Sequence, residues 1–266
     1  MNIALVILML LAVPVLLCAG AVLYAFVLMK KWPVRAWYDH RRRQADFTPL
    51  SRIPQRLTEL LVELEDSDYY RHRGVTLSEI RYAVKLNLRA KKIVYGGSTI
   101  SMQLAKNLYF RFTHNYLRKI AEVIIALRME KVLGKERLLE LYINIIYFGN
   151  GRYGITDAAR FYFSRRVNQL TLNQMFMLAC IPPVPTRGNP IQYPDVFERI
   201  RNRRLKYILR EKNHPLVTPE ESGEIFARHA DRLDPDLRKP DDFTRSYPRT
   251  IPLINERFGR FGRERP

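Results

Sequence analysis

From Ile3 to Met29 the chain is almost unbroken apolar sequence, interrupted only by Pro14 and a few small residues. A helix needs about 20 such residues to cross a bilayer core. This segment therefore limits the fold before anything else does: it sits in lipid as one helix, or it is removed as a leader. Ala19-Gly20-Ala21 offers a small-residue cleavage site for the second case. The apolar run continues past that site and no basic segment precedes it, which favours a retained anchor. Cys18 follows Leu17 rather than a small residue, which argues against a lipoprotein cysteine. Trp32, Trp37 and Tyr38 then stand where an aromatic interfacial belt is expected.

Charge narrows the partners. The chain has 45 Lys and Arg against 26 Asp and Glu, a net charge of +19. Lys30, Lys31, Arg35 and Arg41-Arg42-Arg43 follow the anchor directly. Nucleic acid fits such a balance, and so does an anionic lipid surface. No RNA or DNA motif is present, so the expected partners are anionic membrane lipids, each nearby basic residue adding about 1 kcal/mol of attraction. Cys18 lies in the anchor and Cys180 in an apolar stretch. They do not read as a disulfide pair, so the fold depends on its core.

The rest reads as mainly α. The sequence divides into an anchor over residues 1–31, a basic juxtamembrane linker over 32–53, one domain over 54–212 and a charged, Pro-containing extension over 213–266. Pro54 suits an early helix position. Thr76-Leu77-Ser78-Glu79 is a capping box opening a helix to about Leu88, and Lys91 to Gly97 reads as a mobile loop. Helices are predicted over Ser98–Tyr109, Leu117–Leu133 (stopped by Gly134), Lys135–Ile146, Ile155–Phe163, from the Thr171 cap to Pro182-Pro183, and over Asp195–Arg210. Gly149 to Gly154 reads as a turn, and the tail from Asp231 as extended. There are no repeats and no convincing strand series.

Three clusters carry chemistry. In Gly96 to Asn107, a helix beginning near Ser98 puts Thr99, Gln103 and Lys106 on one face with Asn107 beside Gln103. A glycine pair, a helix N-terminus and a lysine suit a diphosphate or sugar, and a capped glycine turn would look the same. Glu65 lies one turn after Leu61, at the edge of the face made by Leu57, Leu60, Leu61 and Leu64. A partly desolvated carboxylate there suits proton transfer, and an acidic helix end is the alternative. Glu122 has Arg118 one turn before it and borders an apolar side made by Ile125 and Met129. An ordinary intrahelical ion pair would contribute only ~0.3–0.5 kcal/mol.

In this order the clusters resemble the signatures of the peptidoglycan glycosyltransferases, glycosyltransferase family 51. The first is carried by Glu65, Asp66, Tyr69, His72 and Gly74, the second by Gly96 to Asn107, and the third by Arg118, Lys119, Glu122, Ala126 and Glu130. A fourth is similar over Lys135, Leu139, Glu140, Tyr142, Ile143 and Asn144. The fifth comprises Tyr147-Phe148-Gly149, Gly154-Ile155, Ala158-Ala159 and Tyr162-Phe163. The resemblance runs from about Arg52 to about Leu209. It implies a lysozyme-like helical lobe beside a smaller membrane-proximal lobe, and a monofunctional enzyme without a transpeptidase module.

The implied reaction polymerises lipid II into β-1,4-linked glycan and releases undecaprenyl diphosphate. By the resemblance Glu65 is the general base and Glu122 a second carboxylate near the diphosphate or its metal. Ser98, Thr99, Gln103, Lys106, His114 and Arg118 lie on the substrate side, and Asp66, His72 and Asn107 shape the site. Glu130, Glu140 and Asn144 read as structural, and the Arg199–Arg210 helix reads as a solvated or lipid-facing surface, with Arg203 or Arg204 reaching a phosphate as the alternative. A divalent metal, magnesium or manganese, is implied, with no organic cofactor. Implied partners are lipid II, the growing lipid-linked glycan and cell-wall synthesis or division proteins. The implied location is the bacterial inner membrane, single-pass, with a periplasmic catalytic domain.

Four positions depart from the pattern. Met102 stands where an amide is usual and removes it from the cradle, and His114 stands where arginine is common. Arg165 replaces a lysine and Asn173 an acidic residue. A lysozyme-like lytic enzyme acting on finished glycan and an inactive anchored scaffold are the competing readings.

Overall fold

The computed structural model describes residues 3–76, 81, 85, 88–91, 97–110, 116–210 and 216–227. Most of the helix expected over Thr76–Leu88, residues 92–96 of the expected loop, His114 and the tail from Asp231 lie outside them. The described residues are mainly helical; their only β pairing is one antiparallel bridge between Tyr147 and Tyr153. The chain forms two compact units, each assembled from separate segments: Met1–Arg41 with Asp68–Leu138, and Arg42–Ser67 with Leu139–Pro266.

In the first unit, α1 (Ile3–Lys31) is apolar until Lys30 and Lys31, and has the length and composition to cross a membrane. Val15, Leu16 and Leu17 are exposed. Lower down, Ala21 and Ala25 are buried, the Tyr24 ring lies 6.0 Å from Phe110, and the Tyr109 hydroxyl donates to the Trp32 carbonyl at 2.7 Å. The last turns of the anchor are thus part of this unit's packing.

The expected linker departs from a tether. Residues Val34–Arg42 form α2, because Val34, Trp37 and Tyr38 fall at i, i+3 and i+4 and are all buried. Further on, in the second unit, Thr48 N–H donates to Asn144 Oδ1 and Asn144 Nδ2 donates back to the Thr48 carbonyl, both at 2.8 Å. Leu50 N–H donates to Glu140 Oε1 at 2.7 Å. Buried side chains on a distant helix therefore satisfy these backbone groups, as buried polar groups require, and Glu140 and Asn144 serve as staples.

Helix α4 (Ile100–Tyr109) opens at Thr99, whose hydroxyl accepts from Met102 N–H at 3.2 Å and donates to the Gly74 carbonyl at 2.6 Å. Gly74 has φ +95°, and a Cβ there would come within 3.1 Å of the Ala126 carbonyl oxygen. Glycine is what lets this turn approach the next helix so closely. That helix, α5, runs from Tyr116 to Ile145 through a break at Gly134, where φ is 73° and ψ 172°. Gly134 thus separates two helical stretches where the sequence places a stop.

The second unit is built on α3 (Gln55–Asp66), which packs against α7 (Leu172–Cys180). Leu57, Leu60 and Leu61 are fully buried, and each such side chain contributes about 1.5–3 kcal/mol. The Thr171–Gln174 capping box starts α7 as the sequence predicts. Helix α6 (Ile155–Phe163) has the predicted bounds, while α8 (Pro194–Arg210) and α9 (Pro219–Ala227) cover α7.

Candidate active site

Glu65 sits in the last turn of α3, where the buried leucines pull its side chain to 3% exposure. The buried face of α8 is made by Phe197, Arg201, Leu205 and Ile208, at helical spacing, with Arg204 at its edge. The Arg204 guanidinium lies 3.5 Å from Glu65 Oε1 and 3.4 Å from the Leu64 carbonyl. Two neutral groups lie close to it. Burial, and then the charges of Glu65 and Asp66, hold the Tyr142 hydroxyl well above its usual range. Burial pushes the Cys180 thiol up to about 12, against the pull of Arg204 and Arg201. The sequence placed the carboxylate at the edge of an apolar face; the cation facing it comes from 139 residues away, beyond any periodicity.

Glu122, in the first unit, is 2% exposed. Arg118 Nη1 lies 2.6 Å from its Oε1, and Lys119 Nζ 3.4 Å from its Oε2. Lys119 also donates to Ser98 Oγ at 2.8 Å, linking the start of the α4 segment to α5. Burial lowers the Lys119 pKa, Glu122 opposes that shift, and the charges of Arg118 and Lys106 add to it. One carboxylate is thus paired with two cations, and Lys106 lies close enough to act on the charge of Lys119, a surplus of positive charge suited to an anion. Lys119 was missed as a site residue, though its i, i+3 spacing to Glu122 is legible on a helix.

The described residues hold no ready-made cage for the divalent metal that the resemblance implies. Glu122 is engaged by two cations, and the described residues contain no group of three His, Cys, Asp or Glu able to hold an ion.

The remaining residues divide by environment. Lys106 is exposed and Gln103 and Asn107 are half-buried along α4, as the polar face requires. Thr99 is buried, its hydroxyl occupied by the cap and by Gly74. Asp66 is half-buried. His72 Nδ1 accepts from Gly74 N–H at 3.0 Å, which holds the turn. Met102 is 1% exposed and lies in the core, so this departure removes no amide from the cradle: position 102 is on the apolar side of α4. Glu130 accepts from Ser101 at 2.5 Å and from Lys135 at 2.7 Å, a part-buried structural network. Of the other departures, Asn173 is buried and Arg165 bonds its neighbour Gln169.

The transglycosylase family pattern matches residues 32–212, so the chain belongs to that family, the peptidoglycan glycosyltransferases of family 51. A Cupriavidus necator protein whose name carries transglycosylase as a provisional assignment is 42% identical over 63% of this chain and 71% of its own length. Penicillin-binding protein 1A of Aquifex aeolicus is 37% identical over 67% of this chain and 24% of itself. Penicillin-binding protein 4 of Bacillus subtilis is 32% identical over 83% of this chain and 34% of itself. The chain therefore spans only about a quarter to a third of these two penicillin-binding relatives.

Proposed function

We propose that the protein polymerises lipid II at the outer face of the inner membrane, extending a lipid-linked glycan by β-1,4 bonds. The observation that carries this reading is the constellation of Ser98, Arg118, Lys119 and Glu122, in which one buried carboxylate is outnumbered by cations. Arg118, Lys119 and Lys106 hold the donor diphosphate and stabilise the charge it gains as it leaves. Glu122 keeps the two nearest cations extended and in place. Glu65 takes the proton from the acceptor 4-hydroxyl, whose oxygen attacks the anomeric carbon from the side opposite the diphosphate, so the configuration inverts. Hydrolysis of finished glycan has no diphosphate to hold, which favours synthesis over the lytic reading.

The test is incubation of the purified full-length protein with labelled lipid II. Polymer is expected, and Glu65→Gln is expected to lower turnover at least 10²–10⁴-fold while lipid II still binds. A variant that keeps most of its turnover would show that the base lies elsewhere. Cleavage of preformed glycan without polymerisation would support the lytic enzyme, and neither activity would support a scaffold.

A further inference from the structure

We propose that Arg204 is a positioning residue for the reaction, the counter-charge that keeps the buried Glu65 carboxylate ionised and aimed. The inference rests on the reading of Glu65 as the base.

A base must be unprotonated to act, and a carboxylate removed from water favours its protonated form. Glu65 is in that position at 3% side-chain exposure, so something must hold its charge. Among the described residues, ionisable groups around it come from four helices. Its own α3 contributes Asp66 and Glu63, the latter accepting from Tyr207 of α8 at 3.4 Å. These are negative and work against ionisation. Tyr142 of α5 and Cys180 of α7 stay neutral, since burial raises both. Positive charge comes from α8, through Arg204 and, behind it near Cys180, Arg201. Arg204 is 80% shielded from solvent along its side chain, so its field at Glu65 is weakly screened. It also fixes direction: the same Nη1 contacts the Leu64 carbonyl and the Glu65 carboxylate, tying the end of α3 to the edge of α8.

The test compares pH profiles of kcat/KM for lipid II polymerisation by the full-length enzyme in detergent: wild type, Arg204→Lys, Arg204→Gln and Arg204→Met. A cation at this range shifts a carboxylate by about 1–3 pH units. The neutral variants should therefore move the acid limb to higher pH by about that amount and regain activity on the alkaline side. Gln keeps a donor for the Leu64 carbonyl, so it separates loss of charge from loss of folding. Lys should leave the limb near its wild-type position and lower kcat through poorer aim. A uniform loss at every pH with an unmoved acid limb overturns the proposal and leaves Arg204 a structural residue. A raised KM with an unmoved limb also overturns it and makes Arg204 a substrate contact. Glu65→Gln in the same assay separates the two claims: if it retains turnover, the base assignment fails and this inference with it, whereas an essential Glu65 with a fixed limb in the Arg204 variants sinks this inference alone.

Discussion

Lys119 shows what a single residue reveals only after folding. Its neighbours Arg118 and Glu122 stand out in the sequence as an i, i+4 pair, and Lys119 reads as one more basic residue on the same helix. In the structure it bridges Glu122 and Ser98, 21 positions from Ser98 in the chain, and burial lowers its pKa from the ordinary 10.5. The sign has a consequence for substrate. A lysine with a lowered pKa loses its charge at lower pH than a free one, so grip on a diphosphate should weaken on the alkaline side before the usual lysine range is reached. The same shift means that protonated Lys119 opposes folding slightly, and stability gains as pH rises through its folded-state value. Lys119→Met should raise the donor KM at least 10-fold at neutral pH, since charge-assisted contacts contribute ~1.5–3 kcal/mol. Lys119→Arg should keep the contact and move the alkaline loss upward. Donor KM measured between about pH 7 and 10.5 decides it, given the ordinary lysine range; identical alkaline limbs in wild type and the Arg variant would place Lys119 off the diphosphate. Glu65 was legible because its leucine face is local. Arg204 was not, because a pair 139 residues apart leaves no periodic trace.

Among the elements, local rules were readable and long-range polar contacts were not. The bounds of α6, the Thr171 cap of α7 and the break at Gly134 follow from periodicity, capping chemistry and glycine. The juxtamembrane segment misled because the partners that order it, Glu140 and Asn144, lie 90 and 96 positions away. Met102 misled because comparing motif letters says nothing about which face of α4 a position occupies. The network of Ser101, Glu130 and Lys135 joins α4 to both sides of the Gly134 kink, with Lys135 also lying 4.2 Å above the Tyr69 ring and Tyr69 donating to the Lys135 carbonyl. Removing one member of such a pair leaves the other charge buried. Glu130→Ala should therefore destabilise the protein by about 3–5 kcal/mol, and Glu130→Gln by less, since it keeps an acceptor for Ser101 and Lys135. Denaturant unfolding in detergent would measure both. A loss below about 1 kcal/mol for the alanine variant, the scale of an exposed pair, would mean that water reaches these groups.

For the whole molecule, five ordered signatures made the enzyme class legible, while charge alone left two kinds of partner open. Orientation across the membrane pits two physical arguments against each other. Lys30, Lys31, Arg35 and Arg41-Arg42-Arg43 all lie on the C-terminal side of α1's apolar run, so the positive-inside rule would keep the domain in the cytoplasm. The proposed reaction needs the opposite, because its substrate is used on the outer face. The rule describes a bias of short loops, and large flanking domains translocate largely regardless of such charge. The same cations have another use at an outer surface, where each attracts anionic headgroups by about 1 kcal/mol. The buried Ala21 and Ala25 and the Tyr109–Trp32 bond seat the lower anchor against the first unit, which keeps Lys106 and Glu122 in a body docked on its own anchor. A reporter fused after Pro266 should therefore be active as alkaline phosphatase and dark as a cytoplasmic green fluorescent protein. The reverse pattern in a fusion protein that supports cell-wall synthesis would separate the site from lipid II and overturn the proposed reaction.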